Sequence, residues 1–85
     1  MSLKVLFFGN LADIAKSELG NSEWESDFFL SVGKLLEHIQ ALSPALHKEL
    51  IKKHNLVAVN QEMCQFDQPL QAGDEVAFMS PLSGG

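Results

Sequence analysis

Cysteine is nearly absent: Cys64 stands alone in the chain. A single thiol cannot close an internal disulfide or build a multi-thiolate metal site, which fits a reducing compartment. Basic residues are also few, six Lys and Arg against eleven Asp and Glu, for a formal net charge of -5. Those six are scattered, so no cluster can neutralise phosphates, and no nucleic-acid partner is expected. The acidic balance suits a partner with a basic docking surface and, equally, the solubility of any small domain. Long apolar runs are missing. Met1 to Phe8 has one lysine and a short apolar stretch, without the longer apolar region and cleavage site of a secretory signal. No run approaches the length of a membrane span, so a cytoplasmic chain without a membrane partner is expected. Polar low-complexity stretches are lacking too, and 46% hydrophobic with 20% charged residues is a globular composition. Eighty-five residues suffice for one core and not for two, with about 60% of the unfolded surface buried on folding.

What is present reads as a mixture of short strands and helices without regular alternation. Leu3 to Phe8, ended by Gly9-Asn10, is an apolar run of strand formers and predicts a buried first strand near the sheet centre. Asn10 is placed to cap a short helix through Leu11, Ile14 and Ala15, with Gly20 as its left-handed stop. Ser22 to Leu30 alternates with period two, which points Trp24 and Phe28 at the core. Ser31 caps the clearest helix, where Val32, Leu35, Leu36, Ile39 and Leu42 share one face while Lys34, Glu37, His38 and Gln40 face outward. Ser43-Pro44 ends it and starts another, with Leu46, Leu50 and Ile51 as its stripe and His54-Asn55 at its end. Leu56 to Val59, a turn at Asn60-Gln61-Glu62 and Met63 to Phe66 form a hairpin. After an irregular Asp67 to Leu70 and a turn at Ala72-Gly73-Asp74, Glu75 to Met79 alternates as a final strand.

This order predicts an α+β domain. If the first and last strands pair in parallel at the centre, the long helix covers one face and the arrangement is a β-grasp, with a mixed sheet of about four to five strands. Residues 1–79 form that body. Residues 80–85 form a flexible tail ending in Gly84-Gly85.

The tail carries the chemical interest. Two glycines in succession offer no Cβ to obstruct a narrow channel, Pro81 restricts the tail at its root, Leu82 offers an apolar anchor, and Ser83 can donate a hydrogen bond. A carboxylate is a poor electrophile, but adenylation by ATP makes a mixed anhydride with AMP as leaving group, and a sulfur nucleophile then yields a thiocarboxylate. A terminal Gly-Gly by itself equally describes an ordinary frayed end.

The other reactive side chains read as structural. Cys64 has no neighbouring cysteine or activating pair and is expected to pack. His38, His47 and His54 lack the close spacing of a shared metal site, so no metal is expected. Asp13, Asp67, Asp74 and Glu75 do not frame a substrate, Asp74 being explained by its turn. Lys48, Lys52 and Lys53 with Glu49 make a solvated helix edge.

The stretches Val57-Ala58-Val59-Asn60, Asp67-Gln68-Pro69-Leu70, Gly73-Asp74-Glu75-Val76-Ala77-Phe78 and Pro81-Leu82-Ser83-Gly84-Gly85 together resemble the MoaD family of molybdopterin synthase small subunits. So do Lys4-Val5-Leu6-Phe7-Phe8-Gly9 and Val32-Gly33-Lys34-Leu35-Leu36, which extends the resemblance over essentially the whole chain. The departures are Ser80, where the family often has a second proline, and Leu82, where valine is common. The resemblance implies a ubiquitin-like β-grasp sulfur carrier in molybdenum cofactor biosynthesis. Its Gly85 carboxylate is adenylated by an E1-like (MoeB-like) enzyme that consumes ATP, thiocarboxylated, and inserted into a MoaE-like large subunit. Sulfur then passes to cyclic pyranopterin monophosphate to form molybdopterin. The resemblance further implies a heterotetramer, no stably bound cofactor and catalytic side chains on the large subunit. It assigns partner binding to the tail and nearby sheet, here Phe7, Phe78, Met79, Pro81, Leu82, Ser83 and Gly84. The alternatives are a sulfur carrier of another pathway, such as the ThiS protein of thiazole synthesis, a ubiquitin-like modifier joined to lysines through Gly85, and an interaction domain with an inert terminus. ThiS-type chains are usually shorter and lack the second helix.

Overall fold

The computed structural model describes residues 2–27, 29–52 and 55–80. Through them run β1 (Ser2–Phe8), α1 (Asn10–Leu19), β2 (Glu23–Asp27), α2 (Val32–Leu42), α3 (Pro44–Leu50), β3 (Leu56–Val59), β4 (Glu62–Cys64) and β5 (Glu75–Met79). The strands make one five-stranded sheet in the order β2-β1-β5-β3-β4. β1 and β5 pair in parallel in its interior, and the remaining neighbours pair antiparallel. This is the expected ubiquitin-like β-grasp, with helices across one face.

Strand parity decides the core. Leu3, Val5 and Phe7 of β1, Val76 and Phe78 of β5, and Val57 and Val59 of β3 point to the same side and form one buried cluster with Leu11 and Ala15 of α1, Val32, Leu35, Leu36 and Ile39 of α2, and Leu46 and Leu50 of α3. Phe78 sits at its centre, its ring 5.7 Å from that of Phe7 and 6.5 Å from that of Phe66. Although β1 is an interior strand it is buried on one face only, because no helix covers the other; Phe8 is exposed and Leu6 half-buried.

The serine caps form as the sequence predicts. Ser31 Oγ accepts the Lys34 N–H at 3.2 Å, and Ser43 Oγ accepts the Leu46 N–H at 3.2 Å, with Pro44 in the first helical turn. Ser43 also donates to Glu18 Oε1 at 2.6 Å, tying the start of α3 to α1. Gly20 closes α1 in the left-handed region at φ 87°. At the other end of α1 the structure differs from expectation. Gly9 is the N-cap and supplies no side-chain bond, Asn10 is already helical, and the Asn10 N–H is accepted by Ser80 Oγ at 2.9 Å.

Three further expectations change. β2 stops at Asp27 because the chain from Leu30 to Val32 turns to bond the segment 68–70, through Leu70 N–H to Leu30 O at 2.8 Å and Val32 N–H to Gln68 O at 2.9 Å. Leu30 is exposed, Phe29 packs on the core, and Phe28 lies outside the described residues. The second hairpin strand ends at Cys64, so Phe66 leaves the ladder and swings against Phe78. Leu42 and Ile51, at the ends of their helices, overhang the core and are exposed.

The hairpin turn is a two-residue loop, since Val59 pairs with Glu62. Asn60 and Gln61 both have positive φ, 52° and 71°, as a two-residue turn matching the strand twist requires. Asn60 compensates with its side chain, accepting the Glu75 N–H at 3.0 Å and donating to Asp74 Oδ1 at 3.0 Å. The hairpin is thereby locked to the start of β5.

Candidate functional site

The side chains of opposite parity form the other face of the sheet. Across it, Leu6 pairs with Ala77, Ala77 with Ala58, and Ala58 with Met63; one step along, Phe8 pairs with Met79 and Met79 with Leu56. Every position in these two rows is apolar. Phe8, Leu56 and Met63 are 48%, 47% and 58% exposed, so large side chains flank a floor of two alanines. The result is a depression of about 460 Å³ lined by Leu6, Phe8, Ala58, Gln61, Met63, Glu75, Ala77 and Met79. Charge marks its β2 side, where Lys4 Nζ meets Glu23 Oε1 at 3.8 Å.

Apolar side chains massed on one open sheet face are what a partner surface needs and what an isolated chain has no reason to display. The depression reaches the end of β5, where Met79 is the last paired residue and Ser80 leads toward the tail.

Of the partner-binding residues expected from the resemblance, Met79 lies on this open face and is half-buried. Phe7 and Phe78 do not. They are 2% and 0% exposed, stacked together beneath the helices, and are corrected here to core. The physical reason is the alternation of side chains along a strand, which sends Phe78 and Met79 to opposite faces. Pro81, Leu82, Ser83, Gly84 and Gly85 lie outside the described residues.

The residues that sequence reasoning missed are Leu6, Phe8, Leu56, Ala58, Met63 and Ala77. A signal existed: Lys4 and Glu75 share the parity of these side chains and are charged, which marks that side as the one without helices.

The remaining reactive groups stay apart. Cys64 is half-buried against the core, its thiol 3.7 Å from Val57 O, and burial pushes its pKa above the ordinary cysteine range. It is a packing thiol, protonated at neutral pH. His38 does not face solvent as expected. Its ring lies 5.8 Å from Trp24, nearly parallel, and 4.8 Å from Phe29, and so bridges β2 to α2. Asp74 serves its turn, accepting from Asn60 Nδ2 and, at 2.8 Å, from the Gln71 N–H. Lys52 pairs with Glu49 at 2.9 Å on the surface of the α3 end; Lys53 and His54 lie outside the described residues. Among the described residues no three of His, Cys, Asp and Glu gather in a way that could hold a metal ion, and no helix is long and apolar enough to cross a membrane.

The model of the ThiS family matches residues 5–85. The chain belongs to the ThiS family. Among its relatives is the molybdopterin synthase sulfur carrier subunit of Escherichia coli (strain K12), 39% identical over 83 residues, covering 98% of this chain and 99% of the relative. The molybdopterin synthase sulfur carrier subunit of Chlamydomonas reinhardtii is 37% identical over 92 residues, covering 100% of both. Among solved structures, SAMP1 from Haloferax volcanii matches with a TM-score of 0.80 at 28% identity over 100% of both chains. A chain of the complex of subunits 1 and 2 of molybdopterin-converting factor from Helicobacter pylori 26695 matches with a TM-score of 0.68 at 21% identity over 100% of both, a likeness of fold. This ThiS family member therefore shares its whole length with its relatives.

Proposed function

We propose that this chain is the sulfur carrier subunit of a molybdopterin synthase, working in molybdenum cofactor biosynthesis through the carboxylate of Gly85. An E1-like adenylating enzyme directs that carboxylate to the α-phosphorus of ATP, with pyrophosphate leaving. A sulfur nucleophile at the sulfide level then attacks the acyl carbon, with AMP leaving, and the product is a thiocarboxylate. Presented in the active site of a large synthase subunit, its sulfur passes to cyclic pyranopterin monophosphate, and water returns the acyl group to the carboxylate. The catalytic side chains belong to the large subunit; this chain supplies the reactive terminus and a body that docks.

The observation that carries this reading is the full-length similarity to proteins named molybdopterin synthase sulfur carrier subunit, 39% identical in the first case. The match of the family model reaches Gly85. The open apolar face, ending beside the root of the tail, supports a large-subunit partner there, as does the fold shared with a protein found in complex with a second converting-factor subunit. The chain is incubated with ATP, a sulfide donor and an adenylating enzyme of known activity, and its intact mass is read. The expected result is exchange of one oxygen for one sulfur, localised to Gly85. An unaltered mass while the same enzyme loads a control carrier rejects the reading.

A second reading has an observation of its own, the 28% identity and 0.80 TM-score to a small archaeal modifier protein. As a modifier, the chain would join lysine amines through Gly85. Conjugates of higher mass, absent when Gly85 is deleted, would identify that use.

A further inference from the structure

The start of α1 is finished by a residue from the far end of the chain. Asn10 opens the helix, so its N–H is one of the groups that no carbonyl within the helix can accept. Gly9, the N-cap, has no side chain to offer. Ser80 Oγ accepts that N–H at 2.9 Å from seventy positions away in sequence. The fit is reciprocal: a Cβ on Gly9 would overlap Ser80 Oγ and stand 3.7 Å from Ser80 Cβ and 3.6 Å from Ser80 O. Gly9 also has φ 66°, where a side chain is strained. The hydroxyl thus occupies the space that the glycine leaves empty.

Its location gives the contact a use. The β1–β5 ladder ends at the Phe8 and Met79 pair, so Ser80 is the first residue past the sheet. Gly85 is five residue steps further on, a reach of at most about 17 Å, so a change of about 20° at the root moves the far end by about 6 Å. We propose that Ser80, seated against Gly9 and bonded to the Asn10 N–H, is a positioning residue that sets the direction in which the chain continues toward its reactive terminus. Pre-setting that direction lowers the ordering cost when the terminus enters a partner's channel. The inference rests on the proposed carrier function for its kinetic consequence and on geometry alone for the latch.

The test compares wild type, Ser80→Ala and Ser80→Thr, the last of which keeps the hydroxyl. With each chain chemically thiocarboxylated and supplied to a large synthase subunit, Ser80→Ala is expected to raise the KM for carrier by roughly three- to tenfold with kcat unchanged, and Ser80→Thr to restore it. A lower melting temperature with an unchanged KM would mean a merely structural hydroxyl and would overturn the proposal. In the isolated chains, the Asn10 amide is expected to exchange slowly in wild type and rapidly in Ser80→Ala, and ¹⁵N relaxation to report wider motion at Gly84 and Gly85 in the variant. Free exchange of the wild-type amide, or identical relaxation in both, removes the latch. A wild-type thiocarboxylate that transfers no sulfur instead removes the carrier reading, and the amide and relaxation data still decide the latch. A cycle with Gly9→Ala separates space from strain. The substitution is expected to harm Ser80→Ala less than wild type, since the overlap is gone and only the backbone strain remains; equal harm in both backgrounds counts against the fit.

Discussion

The two faces of the sheet are built from the same strands and much the same kinds of side chain, yet they have opposite fates. On the helix side Leu3, Val5, Phe7, Val57, Val76 and Phe78 are sealed; on the other Leu6, Phe8, Leu56, Met63 and Met79 surround the alanine floor of Ala58 and Ala77. Apolar content does not distinguish the faces. The difference is what covers them: three helices supplied by the chain on one side, and on the other a surface we assign to the large subunit. A side chain on the first face stabilises the monomer; under the proposed function, one on the second stabilises a complex.

The comparison can be broken most directly at adjacent residues on paired strands. Phe78→Ala, deep in the core, is expected to cost about 3–5 kcal/mol of unfolding free energy, measured by urea denaturation. Phe8→Ala on the open face is expected to cost less than about 1 kcal/mol. Equal losses would make the two faces equivalent and the distinction empty. Next in size, Met63→Glu places a charge in the depression. It is expected to weaken large-subunit binding at least about tenfold, or about 1.4 kcal/mol, in calorimetric titration, with the melting temperature held. Unchanged affinity would move the docking surface elsewhere.

On the covered side, Ser43→Ala removes both the α3 cap and the bond to Glu18. A loss of about 1–2 kcal/mol is expected, again by urea denaturation, with docking unaltered. The smallest effect concerns Cys64. Because burial raises its pKa, alkylation by iodoacetamide is expected to be slower than that of an exposed peptide thiol at the same pH. Its rate should go on rising with pH beyond the point at which an exposed peptide thiol levels off. By linkage, the stability this thiol contributes is complete below the unfolded pKa and is lost as pH rises through the folded one. Ordinary alkylation rates at neutral pH would contradict the burial.

Much of this was legible in the sequence because the signals are local. Ser31 and Ser43 precede their helices directly, Gly20 follows its own, and the stripe through Val32, Leu35, Leu36 and Ile39 needs no tertiary information. The assignments that shifted depend on partners distant in the chain. The family resemblance assigns Phe7 and Phe78 to the docking surface, and β1, apolar almost throughout, gives no contrast between faces to oppose that assignment. The charges of Lys4 and Glu75 mark the open parity, and their pairing across β1 and β5 brings the two marks onto one face. Helical spacing points His38 to solvent, and it is Trp24 and Phe29, outside that helix, that pack against its ring and leave it half-buried. Local sequence offers Asn10 as the cap of α1, whereas the hydroxyl that accepts its first N–H comes from Ser80. Asn60 was recognised as a turn residue, but its reach to Asp74 and Glu75 emerges only when the hairpin lies beside β5.

The placement of β5 bears on how the protein is made. It is the last strand among the described residues and lies between β1 and β3, so during synthesis the sheet has a gap at its middle until Glu75–Met79 has emerged from the ribosome. Such distant pairing folds slowly, and a chain cut short before that strand would leave β1 and β3 with unpaired edges open to aggregation.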